Sequence, residues 1–137
     1  MKKKAVLVLP FLLMSVALAD DHHIGLSENR PDAKIFRWAE NRAGDCHQMG
    51  AVLVIRPNGT ATFDANVWTH THGTDVWHST IHLLGPGGEF GNSGRHDSPG
   101  MPHDHDGPGN QVHMHYDFNF PPVNFGRVTE ALEHGEC

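Results

Sequence analysis

The sequence is short of positive charge, cysteine and long apolar runs, and each shortage excludes something. It holds 10 Lys and Arg against 16 Asp and Glu, and this acidic balance argues against a nucleic-acid binder, which wants clustered Lys and Arg. No apolar 3.6-residue period runs through the chain after residue 18, which excludes a helical bundle. Gly85-Pro86-Gly87-Gly88 lacks the Lys-Ser/Thr of a phosphate loop. Ser79 adjoins His78, but neighbouring strand residues face opposite ways, so no Ser-His-Asp order stands out. At 137 residues the chain fits one domain, with no room for a separate cofactor module.

The N-terminus holds what the rest lacks. Met1-Lys2-Lys3-Lys4 is basic, Ala5 to Leu18 is almost wholly apolar, and Ala17-Leu18-Ala19 offers a small-x-small cleavage pattern. Residues 1–19 therefore read as a secretory signal peptide. The rival, an uncleaved anchor, needs a longer span. Cleavage at Asp20 leaves 118 residues with seven basic and sixteen acidic groups, a net charge of −9 with His neutral. The expected location is secreted or periplasmic, with no membrane contact after cleavage. In an exported chain Cys46 and Cys137, neither in a CxxC pair, favour a disulfide over a two-Cys metal site. Closing so long a loop is worth on the order of 4–5 kcal/mol in the chain-entropy model.

Residues 20–34 are polar, carry Pro31 and lack a period, so they read as a flexible lead-in to one β domain over 35–137. From Ile35 the signals are those of strands. Met49 to Ile55 is a β-rich apolar run, Asn58-Gly59 is a turn, and Ala61, Phe63, Ala65 and Val67 then alternate with polar neighbours, which makes a β-hairpin. Further strands are expected over 75–84 and 111–120. Another is expected over 125–132, where 129–133 also suits a helical turn. Between them, 12 of the 26 residues from Gly85 to Asn110 are Gly or Pro, which reads as a long loop, neither strand nor helix. The fold class is all-β: an antiparallel sandwich or small barrel of about six to eight strands with that one long Gly/Pro/His-rich loop.

What is plentiful is histidine, with 13 residues. Period-two parity puts Trp77, Ile81 and Leu83 inward and His78 and His82 outward. It likewise buries Met114, Tyr116 and Phe118 and turns out His113, His115 and Asp117. Continuing the pleat past Phe63 and Val67 points His70 and His72 outward. Imidazoles on paired strands come close enough to share Zn²⁺, Cu²⁺ or Ni²⁺, with Asp117 completing the shell and His103 and His105 of the loop folding over the ion. The rival is a merely His-rich solvated surface. Crowded, metal-free imidazoles are expected to have lowered folded pKa values, so protonation near pH 5–6 would destabilise the fold. His22, His23, His47 and His134 fall outside these strands and the loop and carry no expectation.

Enzyme motifs stay incomplete. His70-Thr71-His72-Gly73-Thr74-Asp75 and His103-Asp104-His105-Asp106 stop short of HxHxDH. Gly107 to His115 has the spacing of a first cupin motif, but Asn119 and Phe120 stand where its Glu belongs and no second motif follows. Asn58-Gly59-Thr60 is formally a glycosylation sequon, better explained by the hairpin turn. Phe36-x-Trp38, Ala43-Gly44-Asp45-Cys46, Asn58-Gly59-Thr60-Ala61-x-Phe63 and Cys137 together resemble a family of small secreted bacterial β-domains of unknown function, over Ile35 to Leu84 and the last residue. That resemblance implies an exported all-β domain with a Cys46–Cys137 bridge. It implies no catalytic residue, and the His-rich loop departs from it. The leading expectation is a non-catalytic metal-binding domain serving sequestration or delivery. A protein- or glycan-docking module anchored by Trp68 and a cupin-like metalloenzyme are the alternatives.

Overall fold

The computed structural model describes residues 22–71, 75–101 and 111–137, with the backbone alone at 22 and 23. The signal segment 1–19 lies outside the described residues. So do His72, His103, His105 and most of the second half of the expected loop.

The strongest local signal produces the central hairpin. Strands β4 (Cys46–Ile55) and β5 (Thr60–Thr69) pair from Cys46↔Thr69 to Ile55↔Ala61. Asn58 Oδ1 accepts from the Thr60 amide at 3.1 Å and the Thr60 hydroxyl at 2.7 Å. Gly59 takes φ +84°, and a Cβ there would stand 2.4 Å from the Phe120 carbonyl, so the turn requires glycine twice over. Alternation then buries Ala61, Phe63, Ala65 and Val67 on one face.

Around the hairpin the chain builds two antiparallel sheets. With β1 (His22–Ile24), β2 (Leu26–Arg30), β3 (Ala33–Ala43), β6 (His78–Gly85), β7 (Gly88–Asp97), β8 (Val112–Asn119) and β9 (Glu130–Glu136), the orders are β2-β3-β4-β5-β8 and β1-β9-β6-β7. Neither sheet closes into a barrel. The fold is the expected antiparallel sandwich, with nine strands among the described residues. Phe36, Leu53, Ile55 and Phe63 meet Trp77, Ile81, Leu83 and Ala131 in the core. Cys46 on β4 bonds Cys137 after β9, with Cα atoms 5.8 Å apart, so the disulfide ties one sheet to the other.

Three expectations need correction. The stretch 20–34 is no flexible lead-in from residue 22 onward: β1 pairs with β9, and β2 pairs with β3. All five β2 residues are exposed, so this edge strand shows no apolar alternation. The first part of the expected loop is strand β7, paired with β6 and again mostly exposed. Gly91 there is needed for packing, since a Cβ would meet Phe120 at 2.9 Å and Leu83 at 3.0 Å. Finally, the expected strand over 125–132 is a 3-10 helix, Pro122–Arg127, followed by β9. The Lys34 ammonium clasps that helix, donating to the Phe125 and Val128 carbonyls at 2.7 Å each.

Candidate functional site

The hydrogen-bonded register brings the site together. β8 joins β5 at the edge of the five-stranded sheet, setting His115 opposite Asp64 and His113 opposite Asn66. On β8 Met114, Tyr116 and Phe118 are buried while His113, His115 and Asp117 are exposed, as parity predicts. The imidazoles converge on one carboxylate oxygen: His113 Nε2 donates to Asp64 Oδ1 at 2.9 Å and His115 Nδ1 at 2.8 Å. His115 Nε2 lies 3.4 Å from Asp117 Oδ2, and His113 Nδ1 lies 3.4 Å from Asn66 Oδ1.

One ligand atom each from Asp64, His113 and His115 fits within a sphere in which no two are more than 4.8 Å apart. Two imidazoles and a carboxylate are a donor set that suits Zn²⁺, Cu²⁺ or Ni²⁺. Asp64, hydrogen-bonded to His115 and negatively charged beside it, pushes that imidazole above its usual range, with Asp117 adding to the effect. A metal ion placed here replaces protons shared between the same groups.

Among the described residues, the remaining expected ligands do not join this cluster. His78 and His82 face outward, but from β6, in the other sheet. His78 Nδ1 donates to Asp97 Oδ1 at 2.6 Å, and the cationic Arg95 Nη2 stands 2.8 Å from the same nitrogen. His78 and Arg95 hold the Asp97 carboxyl below its ordinary value. His82 pairs with Glu89 at 2.8 Å, which likewise lowers Glu89. His70 follows β5, with its ring edge-on to His47 at 4.7 Å. Of the nine residues expected to ligate, then, His113, His115 and Asp117 come together, while His70, His78 and His82 stand elsewhere.

Sequence reasoning missed Asp64, although parity already placed it outward between Thr62 and Asn66. What parity cannot give is the non-sequential β5–β8 pairing. His47, set aside in the sequence, is buried. It stacks on Trp68 at 4.8 Å and 9°, and its Nδ1 meets Glu40 at 3.1 Å. Trp68, only 4% exposed under that ring, is no outward anchor for a docking partner. The cupin alternative also fails on geometry, because His113 and His115 line the exposed face of an open sheet and not the inside of a barrel.

A second cluster fills the space between the sheets. Glu133 is fully buried, and its Oε1 accepts from Gln48 Nε2 at 2.7 Å, Ser79 Oγ at 2.9 Å and Trp77 Nε1 at 3.3 Å. Asn41 Nδ2 donates to Oε2 at 2.8 Å, and Tyr116 OH meets Ser79 Oγ at 2.9 Å. Burial pushes the Glu133 carboxyl above its usual range, and these donors pull it partly back. The same burial pushes the Tyr116 phenol up. Gly135 lets the Trp77 ring lie against β9, where its Nε1 reaches Glu133: a Cβ on Gly135 would lie 2.4 Å from that ring.

A disulfide-tied antiparallel β-sandwich with an edge cluster of histidine and aspartate is the class of domain these observations define. Within that class, the chain belongs to a family of unknown function, DUF6294, whose model matches residues 52–137. No curated protein and no solved structure is significantly similar to it.

Proposed function

We propose that this domain captures a divalent transition metal, Zn²⁺, Cu²⁺ or Ni²⁺, on the outer face of its five-stranded sheet and performs no catalysis itself. Asp64, His113 and His115 are the ligands, and Asp117 orients His115 from the other side. The observation that carries this reading is the convergence of both imidazoles on Asp64 Oδ1, at 2.9 and 2.8 Å from two paired strands. The cluster is open to solvent, so an ion enters and leaves without the fold opening, which suits sequestration or delivery. The basic and apolar N-terminus and the Cys46–Cys137 bridge support export of the domain. Among the described residues, no helix is long and apolar enough to cross a membrane.

Equilibrium dialysis against Zn²⁺, Cu²⁺ and Ni²⁺ with elemental analysis tests the reading. The oxidised chain should take up one equivalent, and His113→Ala with His115→Ala should weaken that uptake at least tenfold. Uptake unchanged by the double substitution overturns the assignment.

A further inference from the structure

The disulfide has an anionic neighbour that a structural crosslink does not need. Asp75 Oδ2 lies 3.9 Å from Cys46 Sγ. A disulfide sulfur has no proton to give, so this is a contact and no hydrogen bond. The carboxylate is held against the sulfur by two hydroxyls, Thr69 Oγ1 donating at 2.6 Å and Thr71 Oγ1 donating as well. Its backbone is fixed too, since the Met101 amide donates to the Asp75 carbonyl at 2.8 Å.

One ligand atom each from Cys46, Asp75 and Cys137 lies within 4.8 Å of the others. Cys46 is buried, whereas Asp75 is half-buried and Cys137 exposed, so the cluster opens to solvent on one side. Tetrahedral zinc with Zn–S bonds of ~2.3 Å wants its two sulfurs about 3.8 Å apart. Cysteines with Cα atoms 5.8 Å apart reach that separation by side-chain rotation.

We propose that Cys46, Cys137 and Asp75 form a redox-gated metal site: closed as the disulfide, and a two-thiolate, one-carboxylate site for Zn²⁺ or another thiophilic divalent ion once reduced. Opening it takes two electrons per disulfide, from a thiol or phosphine reductant, and two protons, which come from the thiols or, with a phosphine, from water. With a phosphine, the S–S bond breaks, phosphorus takes the oxygen of water as phosphine oxide, and two thiols form. Metal binding then releases both thiol protons, and the ionised Asp75 supplies the third ligand. Without a cation, two thiolates and Asp75 would repel one another, so the carboxylate that disfavours a free dithiolate favours a metal-bound one.

The test is a Co²⁺ titration of the full chain, oxidised and phosphine-reduced, followed by thiolate-to-cobalt charge-transfer absorption in the near ultraviolet. The reduced chain should develop that band at one equivalent and the oxidised chain should show none. Asp75→Asn, which leaves both cysteines and the disulfide intact, should weaken the reduced-state binding at least tenfold. His113→Ala with His115→Ala should leave the band unchanged, which separates this site from the one on the sheet face. Absence of the band on the reduced chain, or equal affinity in Asp75→Asn, overturns the proposal. Should reduction unfold the chain, Zn²⁺ is expected to restore the near-ultraviolet circular dichroism, and failure to restore it counts equally against the site.

Discussion

Two carboxylates in this molecule gather donors from neighbouring strands, one on each side of the five-stranded sheet. Glu133 does so inside, under Gln48, Asn41, Ser79 and Trp77. Asp64 does so outside, under His113 and His115. The inner partners are neutral amides, a hydroxyl and an indole, fully shielded from water, so they cannot be exchanged for another ligand. The outer partners are imidazoles in solvent, which trade a proton for a metal at little cost. Similar geometry therefore has different consequences: dry, it locks two sheets together; wet, it offers a binding site.

The comparison can be broken from the inside first. Loss of the Cys46–Cys137 crosslink, which spans 91 residues of sequence, should lower stability by about 4–5 kcal/mol in chelator, read from urea midpoints. Glu133→Ala should cost about 3–5 kcal/mol, because it strands four buried donors, and it should leave metal uptake at Asp64 intact. Burial raises the Glu133 carboxyl, so its contribution is complete below the ordinary value of 4.5 and is lost as pH rises through the folded value. Glu133→Gln should accordingly flatten the decline of stability above that pH.

Effects on the outer face should be smaller on stability and larger on binding. His113→Ala with His115→Ala should leave the urea midpoint nearly unchanged, as substitutions at exposed positions do. His115 is raised by Asp64, so its stabilising contact with that carboxylate is fully present below the ordinary value of 6.5 and fades as pH rises through the folded value. This reverses the expectation of lowered histidine pKa values and acid destabilisation from crowded imidazoles: at this cluster the carboxylate outweighs the neighbouring ring. Metal affinity should run the opposite way, falling as pH drops through the same range because protons compete for His115. The smallest change of all is expected for His78→Ala, which should alter uptake less than twofold, since Arg95 occupies its surroundings.

The same contrast explains what could be read from the chain in advance. Parity alone turned His113, His115, His78 and His82 outward and buried Trp77 and Tyr116, because strand period is a local property. The hairpin was legible through Asn58-Gly59 and its flanking alternation. Which outward faces share a sheet depends on pairing between distant strands, so Asp64 stayed hidden and His78 was grouped with His113 across two different sheets. β2 and β7 escaped because exposed edge strands carry no apolar rhythm. Glu133 escaped for the opposite reason: a glutamate between Leu132 and His134 looks like surface until Gln48, Ser79, Trp77 and Asn41 are seen to supply it with buried donors.

The central claim, that Asp64, His113 and His115 form the metal site, is tested most directly by following the histidine imidazole resonances of the oxidised chain during a Zn²⁺ titration. Binding at this site predicts that the His113 and His115 signals move first and together, saturating at one equivalent, while those of His78, His82 and His134 stay in place. Signals that shift uniformly across all histidines, or that move first at His78 or His82, would contradict it.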